Sequence, residues 1–193
     1  GRGSFARRPA RSAASRRGAG VADRHTAHMA RLFVAIWPPD DVLDRLADIE
    51  RPKDQGVKWV PQDNLHITLR FLGDADETEV AARLDDTLFP AATAVVGPAF
   101  DLLGERSLIS PVTGVDELAD VVRRALRGLG TEPERTRFQG HITVARLARN
   151  ARPRRSAGHR FDATFDVTEV ALVASTLRDT GAVYDTVATW PTR

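Results

Sequence analysis

Two segments of identical sequence, residues 66–68 and 141–143, contain the side chains best suited to chemistry in this chain of 193 residues. Each reads His-Ile-Thr, and the whole chain has five histidines. With this amino-acid composition, the chance that two of five histidines open the same tripeptide is on the order of one in ten thousand. The repeat therefore points to a shared role for the two segments.

Both copies lie in stretches whose apolar and polar residues alternate, which is typical of a half-buried β-strand. Side chains alternate between the two faces of a strand, so Ile67 is predicted to point to the core while His66 and Thr68 share the other face. The second copy, residues 141–143, follows the same alternation. Within one copy, the His and Thr Cα atoms are then roughly 7 Å apart, the length of two strand rises.

A cleft that brought both copies together would hold two imidazoles and two hydroxyls, a set suited to phosphodiester cleavage. Such a reaction requires a base to deprotonate the attacking water and an acid to protonate the leaving sugar oxygen. Histidine titrates near neutral pH and is able to play either part. Threonine hydroxyls donate to the non-bridging phosphate oxygens, where negative charge builds up in the transition state.

Two other interpretations of the repeat stay open on the sequence alone. The first is duplication of a purely structural strand, although such a strand does not require His and Thr on its solvent face. The second is a zinc site, which needs three protein ligands, and the candidates are His66, His141 and His159, without metal-ligand spacing. The sequence also lacks the motifs of kinases, dinucleotide-binding proteins and α/β-hydrolases. We therefore expect no metal ion and no cofactor.

Composition and charge favour a soluble body preceded by a basic segment. The chain is 42% hydrophobic, has no cysteine and has no apolar run long enough to cross a membrane. Residues 1–28 contain seven Arg and one acid, whereas residues 29–193 contain 21 Lys and Arg against 25 Asp and Glu. A mildly acidic body argues against coating long nucleic acid, but not against binding one phosphate in a cleft.

Residues 1–28 are predicted to be a disordered Arg-rich extension, because they contain too few apolar residues to order themselves. We expect this extension to be non-native, with the natural start at Met29. An RNA-binding arm and a transit peptide are the alternatives. Residues 29–193 are then expected to form a single domain.

Strands and helices mix along these residues without strict alternation, which favours an α+β fold with largely antiparallel sheets. Three helices are predicted, beginning near Asp40, near Asp74 or Asp76, and near Val115. The second is expected to bury Val80, Leu84 and Leu88. The predicted strands are residues 31–37, 57–60, 65–72, 93–103, 106–112, 138–147, 161–175 and 181–190, the last two forming a hairpin.

The paired motifs, 75 residues apart, resemble those of the two-histidine (2H) phosphoesterases. The resemblance extends to RLFVAIWPPDDV, VKWVPQDNLHITLRFLGD, FQGHITVARL and LVASTLRDTGAVYDTVATWP, all similar to the LigT/ThpR-type RNA 2′,3′-cyclic phosphodiesterases. It covers residues 29–190. It implies a bilobal, duplicated fold in which two antiparallel sheets, flanked by helices, enclose a central cleft.

The same resemblance implies metal-independent hydrolysis of RNA 2′,3′-cyclic phosphodiester ends to 2′-phosphomonoesters. It implies that His66 is the proton donor and His141 the proton acceptor, and that Thr68, Thr143 and Arg146 bind the phosphate. Alternatives are a phosphodiesterase for 2′–5′ oligonucleotides or small cyclic nucleotides, a 2′–5′ RNA ligase, and a non-catalytic nucleotide- or RNA-binding module. We expect a cytoplasmic monomer whose partners are RNA ends, with no membrane and no obligate protein partner.

Several further residues are weaker candidates. Strand parity places Arg146 on the face opposite His141, so its predicted role requires the strand to bulge or end near Ala145, and a surface arginine is the alternative. Arg70 shares parity with His66 and Thr68 and is able to reach the mouth of the cleft, although a solvated edge charge is the expected role. The remaining candidates are Phe33, Trp59 and Tyr184 for base stacking, His159 as a surface histidine, and Arg152, Arg154 and Arg155 for steering RNA.

Overall fold

The architecture is that of a computed structural model, which describes residues 29–133, 137–179 and 181–193. The predicted extension, residues 1–28, lies outside the described residues. The elements in chain order are β1 (Met29–Ile36), α1 (Asp40–Ala47), β2 (Val57–Trp59), a short 3₁₀ turn (Gln62–Asn64), β3 (Ile67–Asp76), α2 (Glu77–Asp85), β4 (Ala92–Val96), β5 (Asp101–Leu103), β6 (Ser107–Thr113), α3 (Asp116–Ala125), β7 (His141–Leu147), β8 (Ala163–Val167), β9 (Glu169–Arg178) and β10 (Gly181–Pro191).

The three helices begin where the sequence predicts. Asp76 caps α2, because its carboxylate accepts hydrogen bonds from the backbone N–H groups of Thr78 and Glu79 at 2.9 and 3.0 Å. Val80 and Leu84 are buried as expected. The prediction for Leu88 is wrong: α2 ends at Asp85, and Leu88 is 79% exposed.

Two predicted strands are each divided in two. The segment 93–103 breaks at Gly97-Pro98, a cis peptide, into β4 and β5. The segment 161–175 breaks at Thr168 into β8 and β9. The physical reason in the second case is topological, since β8 pairs with β4 whereas β9 pairs with β1 and β10. The predicted β9–β10 hairpin is confirmed, with Gly181 opposite Arg178.

The strands form one connected sheet in the order β10-β9-β1-β3-β7-β6-β4-β8, with β2 on β7 and β5 on β6. All of these pairings are antiparallel, as predicted. The sheet is therefore continuous, and the two predicted sheets are two portions of it, joined where Ile67 pairs with Ile142. These portions do not follow the halves of the chain, because β9 and β10 lie beside β1.

The two faces of β1 contact different apolar clusters. Leu32, Val34 and Ile36 belong to the main core. The intervening Phe33 and Ala35 form a smaller cluster with residues of β9, against which Trp37 and Tyr184 pack. Alternation of side chains along a strand explains the division. Within the residues that the structure describes, no helix is both long enough and apolar enough to span a membrane.

Candidate active site

A cleft of about 320 Å³ lies where β3 and β7 meet, and both His-Ile-Thr copies line it. All five residues of the predicted site border this cleft: His66, Thr68, His141, Thr143 and Arg146. The isoleucines of the two copies are fully buried, as the alternation predicts. The structure thus brings together two segments that are 75 residues apart in the sequence.

The arrangement of the two copies follows from one antiparallel pairing. Ile67 is in register with Ile142 at the junction of β3 and β7. Continuing that register by one residue in each direction sets the histidine of each copy against the threonine of the other. The two copies therefore contribute to the cleft in a crossed arrangement, with a similar pair of polar groups on each side.

Both histidines are oriented by the same kind of hydrogen bond. The Nδ1 atom of His66 lies 2.7 Å from the carbonyl oxygen of Asn64, and the Nδ1 atom of His141 lies 2.7 Å from that of Gln139. A carbonyl oxygen only accepts, so Nδ1 is the protonated nitrogen in each ring. In the neutral imidazole, Nε2 then carries the lone pair and is the nitrogen able to accept a proton.

Three aromatic rings surround His66. The ring centroids of Phe33, Trp37 and Tyr184 lie 4.9, 5.5 and 5.3 Å from that of His66. Burial lowers the pKa of His66 from 6.5 to about 4, although the hydrogen bond to Asn64 opposes this shift. The positive charges of Arg146 and His141 contribute to the same lowering of the pKa. His66 is accordingly neutral at pH 7.

The aromatic candidates fall into two groups. Phe33 and Tyr184 border the cleft beside His66. Trp59 does not border it and instead packs near Phe100, with ring centroids 6.4 Å apart. The guanidinium of Arg51 lies over the Trp59 ring at 5.9 Å.

Arg146 reaches the cleft because β7 contains the predicted bulge. Ile109 pairs with Thr143 and Leu108 pairs with Ala145, so Val144 has no counterpart on β6. This extra residue reverses the alternation of side chains along β7 beyond Thr143. Arg146 therefore projects from the same face of β7 as His141. Its Nη1 donates to Ser107 Oγ at 3.2 Å.

Arg70 is not the predicted solvated edge charge. It is 8% exposed, and its guanidinium donates to the carbonyl oxygens of Arg123 and Leu129, each at 3.1 Å. The β1–β3 register shifts between Val34 and Ala35. Arg70 therefore pairs with Val34 and no longer lies on the same face of β3 as Thr68. Arg70 therefore attaches the end of α3 to β3 at the wall of the cleft, which it borders.

Sequence reasoning missed part of the cleft wall. Arg123 and Asp120 of α3 border the cleft and form a salt bridge at 2.8 Å. Arg137, Phe138 and Gln139 also border it, directly before the second motif. Their adjacency to His141 in the sequence was the available signal, whereas the approach of α3 is a tertiary contact that the sequence pattern does not encode.

His159 lies apart from the cleft. Its ring is tilted against that of Phe100, with centroids 5.6 Å apart, so the predicted surface histidine is in fact partly packed. The three histidines considered as zinc ligands are thus not together. Throughout residues 29–133, 137–179 and 181–193, no group of three His, Asp or Glu side chains is placed to hold a metal ion.

Sequence comparison assigns this architecture to a family. The family described as LigT-like phosphoesterases matches residues 36–94, which include the first motif. An Aeropyrum pernix protein named RNA 2′,3′-cyclic phosphodiesterase is 30% identical over 164 residues, covering 75% of this chain and 92% of that protein. An Archaeoglobus fulgidus protein of the same name is 33% identical over 133 residues, covering 62% and 73%. The chain is a member of the LigT-like phosphoesterase family, within the 2H superfamily.

Solved structures agree with this membership in the LigT-like family. Escherichia coli LigT complexed with 3′-AMP superposes with a TM-score of 0.69 at 25% identity, covering 86% of this chain and 99% of that one. A Thermus thermophilus protein superposes with a TM-score of 0.68 at 28% identity, covering 84% and 98%. The overall α+β fold of the described residues is therefore that of LigT.

Proposed function

We propose that this protein hydrolyses RNA 2′,3′-cyclic phosphodiester ends to 2′-phosphomonoesters without a metal ion. The observation that carries the proposal is the crossed pair of His-Ile-Thr segments in one cleft, each histidine held through Nδ1 by a backbone carbonyl. Relatives named RNA 2′,3′-cyclic phosphodiesterase support the choice of substrate. Two imidazoles on opposite sides of one phosphate suit an in-line displacement, in which the attacking water and the departing oxygen lie on opposite sides of phosphorus.

In the proposed reaction, water attacks phosphorus and the P–O3′ bond breaks. The Nε2 atom of His141 accepts a proton from the water, and His66 donates a proton from Nε2 to the departing 3′ oxygen. The product carries its phosphate on the 2′ oxygen, and the protein regains its starting state by moving one proton from His141 to His66 through solvent. General acid and general base catalysis each typically contribute about 10²–10⁴-fold.

The proton donor must be charged, and burial opposes the charged form of His66. A bound phosphodiester contributes a negative charge to the cleft, which raises the pKa of a neighbouring imidazole. Substrate binding therefore promotes the protonation that the donor role requires. His66 is the proton donor only when the anion is present.

Stabilisation of the phosphate is assigned to Thr68, Thr143 and Arg146. All three border the cleft, and the charge of Arg146 lies close enough to lower the pKa of His66. Hydroxyl and guanidinium donors directed at the non-bridging oxygens stabilise the charge that develops in the transition state. The hydrogen bond from Arg146 to Ser107 fixes the guanidinium beside the cleft.

We further propose that the connected sheet arose by duplication of a lobe containing one His-x-Thr strand. The two copies match in three respects. In each, the histidine Nδ1 is hydrogen-bonded to the carbonyl oxygen two residues earlier, the isoleucine is buried and the threonine borders the cleft. One chain supplies both, so a monomer suffices for activity.

The proposal is tested by incubating the protein with an oligoribonucleotide that ends in a 2′,3′-cyclic phosphate, in the presence of EDTA. Conversion to a 2′-phosphate end is expected, with loss of turnover in His66→Ala. Absence of product, or equal turnover in His66→Ala, would refute the assignment, and inhibition by EDTA would favour metal chemistry. Cleavage of 2′–5′ oligoadenylate or of small cyclic nucleotides alone would favour those activities, and binding without turnover would indicate a nucleotide-binding module.

A further inference from the structure

Two segments of the surface, residues 51–58 and 149–155, concentrate positive charge. Together they contain seven of the 21 Lys and Arg residues of positions 29–193, but one of its 25 acids. All seven cations are exposed. They are Arg51, Lys53, Lys58, Arg149, Arg152, Arg154 and Arg155. We call these two segments the basic face; its charge is opposite in sign to that of the body that carries it.

The two segments form one surface because hydrogen bonds join them. The backbone N–H groups of Ala148 and Arg152 donate to the carbonyl oxygens of Gly56 and Gln55 at 2.9 and 3.0 Å. The carboxylate of Asp54 accepts from the backbone N–H groups of Arg155 and Ser156 at 3.1 and 3.0 Å. These bonds hold the backbones of the two segments side by side.

The one acid of the basic face is engaged within the protein. Besides the backbone donors, Asp54 accepts from Ser156 Oγ at 2.8 Å and from Arg155 Nε at 3.3 Å. Burial raises the pKa of Asp54, but the hydrogen bonds from Ser156 and Arg155 outweigh it and lower the pKa below 3.8. Asp54 orders the loop, and the two segments contain no other acid to compensate the exposed cations.

The basic face is continuous with the cleft through one pair of residues. Lys58 of β2 is in register with Arg146 of β7. Residues paired across an antiparallel ladder project from the same face of the sheet, and neighbouring strands are about 4.8 Å apart. Lys58 therefore lies one strand away from Arg146, on the face that carries the cleft.

We propose that the basic face binds the single-stranded RNA that precedes the reacting end, an inference that rests on the proposed function. A cyclic phosphate is a 3′ terminus, so the rest of the strand leaves the cleft from the 5′ side with one negative charge per nucleotide. The cleft, at about 320 Å³, is at the small end of ligand pockets and leaves those nucleotides outside. The cations of the basic face, of which Lys58 lies beside Arg146, are opposite in charge to that chain of phosphates.

The test measures binding separately from turnover. A fluorescent single-stranded dodecaribonucleotide ending in a 3′-phosphate, which is not a substrate, is titrated with wild-type protein and with Arg152→Gln/Arg154→Gln over a series of salt concentrations. Each phosphate neutralised on a single strand contributes about 0.7 to the slope of log Kd against log salt. The variant is expected to lose about 1.4 from that slope and to bind about tenfold more weakly at low salt.

The matched control is Arg83→Gln/Arg124→Gln, which removes two exposed arginines from α2 and α3. It is expected to bind the dodecamer as the wild type does. Equal weakening in both double variants, or none in Arg152→Gln/Arg154→Gln, would overturn the assignment of the basic face.

Turnover provides the second measurement. The ratio of kcat/KM for a cyclic-ended dodecamer to that for a 2′,3′-cyclic mononucleotide is expected to fall in Arg152→Gln/Arg154→Gln, and an unchanged ratio would contradict the proposal. If no cyclic substrate is cleaved while the binding difference persists, the proposed function fails and the RNA-binding face stands. If cleavage proceeds but binding is insensitive to these arginines, the opposite holds.

Discussion

Ile67 and Ile142 pair with each other at the junction of β3 and β7, and both side chains are completely buried. Each is the central residue of a His-Ile-Thr segment, so this pair determines how the two segments face each other. The core fixes the isoleucines, and strand alternation then directs the flanking histidines and threonines into the cleft. Packing and proposed catalysis thus depend on the same three consecutive positions in each strand.

Removing either cleft imidazole is expected to reduce turnover severely. His66→Ala and His141→Ala should each lower kcat for a cyclic-ended oligoribonucleotide by about 10²–10⁴-fold, because each removes one proton-transfer group. His159→Ala is the matched control, since His159 packs against Phe100 outside the cleft. Steady-state kinetics of the three variants decide the point, and a comparable loss in His159→Ala would contradict the assignment.

The stability of the protein is expected to fall as the pH drops from 6.5 towards 4. In the unfolded chain His66 takes up a proton near pH 6.5, whereas in the folded protein burial lowers its pKa to about 4. The neutral form that folding favours is fully stabilising above pH 6.5. Between these pH values the loss approaches about 3 kcal/mol of unfolding free energy, since one pKa unit corresponds to about 1.4 kcal/mol.

This pH dependence is checked by urea denaturation at pH 7, 5.5 and 4.5. In His66→Asn the fall in unfolding free energy with decreasing pH should be smaller by the contribution of His66. In His159→Asn that contribution should remain. An unchanged decline in His66→Asn would show that His66 is not the group responsible.

The charge of Arg146 is expected to contribute to the lowered pKa of His66. Replacement by Gln removes a cation that lowers the pKa of His66, so Arg146→Gln should raise that pKa. NMR titration of the histidine ring resonances measures the shift. Arg149→Gln, an exposed arginine three residues further along, is the control. If Arg146→Gln left the pKa unchanged, the bulge in β7 would not direct its guanidinium to the cleft.

The position of His141 is expected to depend on the glycine before it. A Cβ atom at Gly140 would lie 2.4 Å from the carbonyl oxygen of Val112, whose N–H donates to the Gly140 carbonyl. Gly140→Ala should therefore separate β6 from β7, lower the unfolding free energy by about 1–3 kcal/mol and reduce turnover. Chemical denaturation and kinetics are the measurements.

Gly104→Ala serves as the comparison for that variant. Gly104 lies in the turn between β5 and β6 at a φ of +59°, and a Cβ there meets no atom within 4 Å. The added methyl group should cost about 1–2 kcal/mol of backbone strain without affecting turnover. Full activity in Gly140→Ala would show that the β6–β7 contact does not position His141.

The sequence predicted those residues of the site whose direction follows from the alternation of side chains along a strand. Residues 66–68 and 141–143 carry their own pattern, and the parity of Arg146 required a bulge or a strand end near Ala145, of which the structure has the bulge. The same reasoning failed for Arg70, because the register shift that redirects it arises from pairing with β1. A local pattern contains no information about such a partner strand.

Long-range contacts account for the other differences. The rings around His66 belong to Phe33 of β1, to Trp37, which directly follows β1, and to Tyr184 of β10. The approach of Tyr184 therefore depends on the last described strand. Likewise, the division of 161–175 reflects two different neighbours, β4 and β1. Helix positions were predictable because their apolar stripes and the cap at Asp76 are local signals.

The strand order β10-β9-β1-β3 also determines when the site is completed during synthesis. A ribosome releases β1 and β3, which end at Ile36 and Asp76, long before β9 begins at Glu169 and covers β1. Tyr184 of β10 reaches the ring of His66 only after β9 has covered β1. The environment that lowers the pKa of His66 is therefore assembled last. Contacts of such long sequence separation slow folding, so a growing chain carries both histidines for some time before the cleft around them is complete.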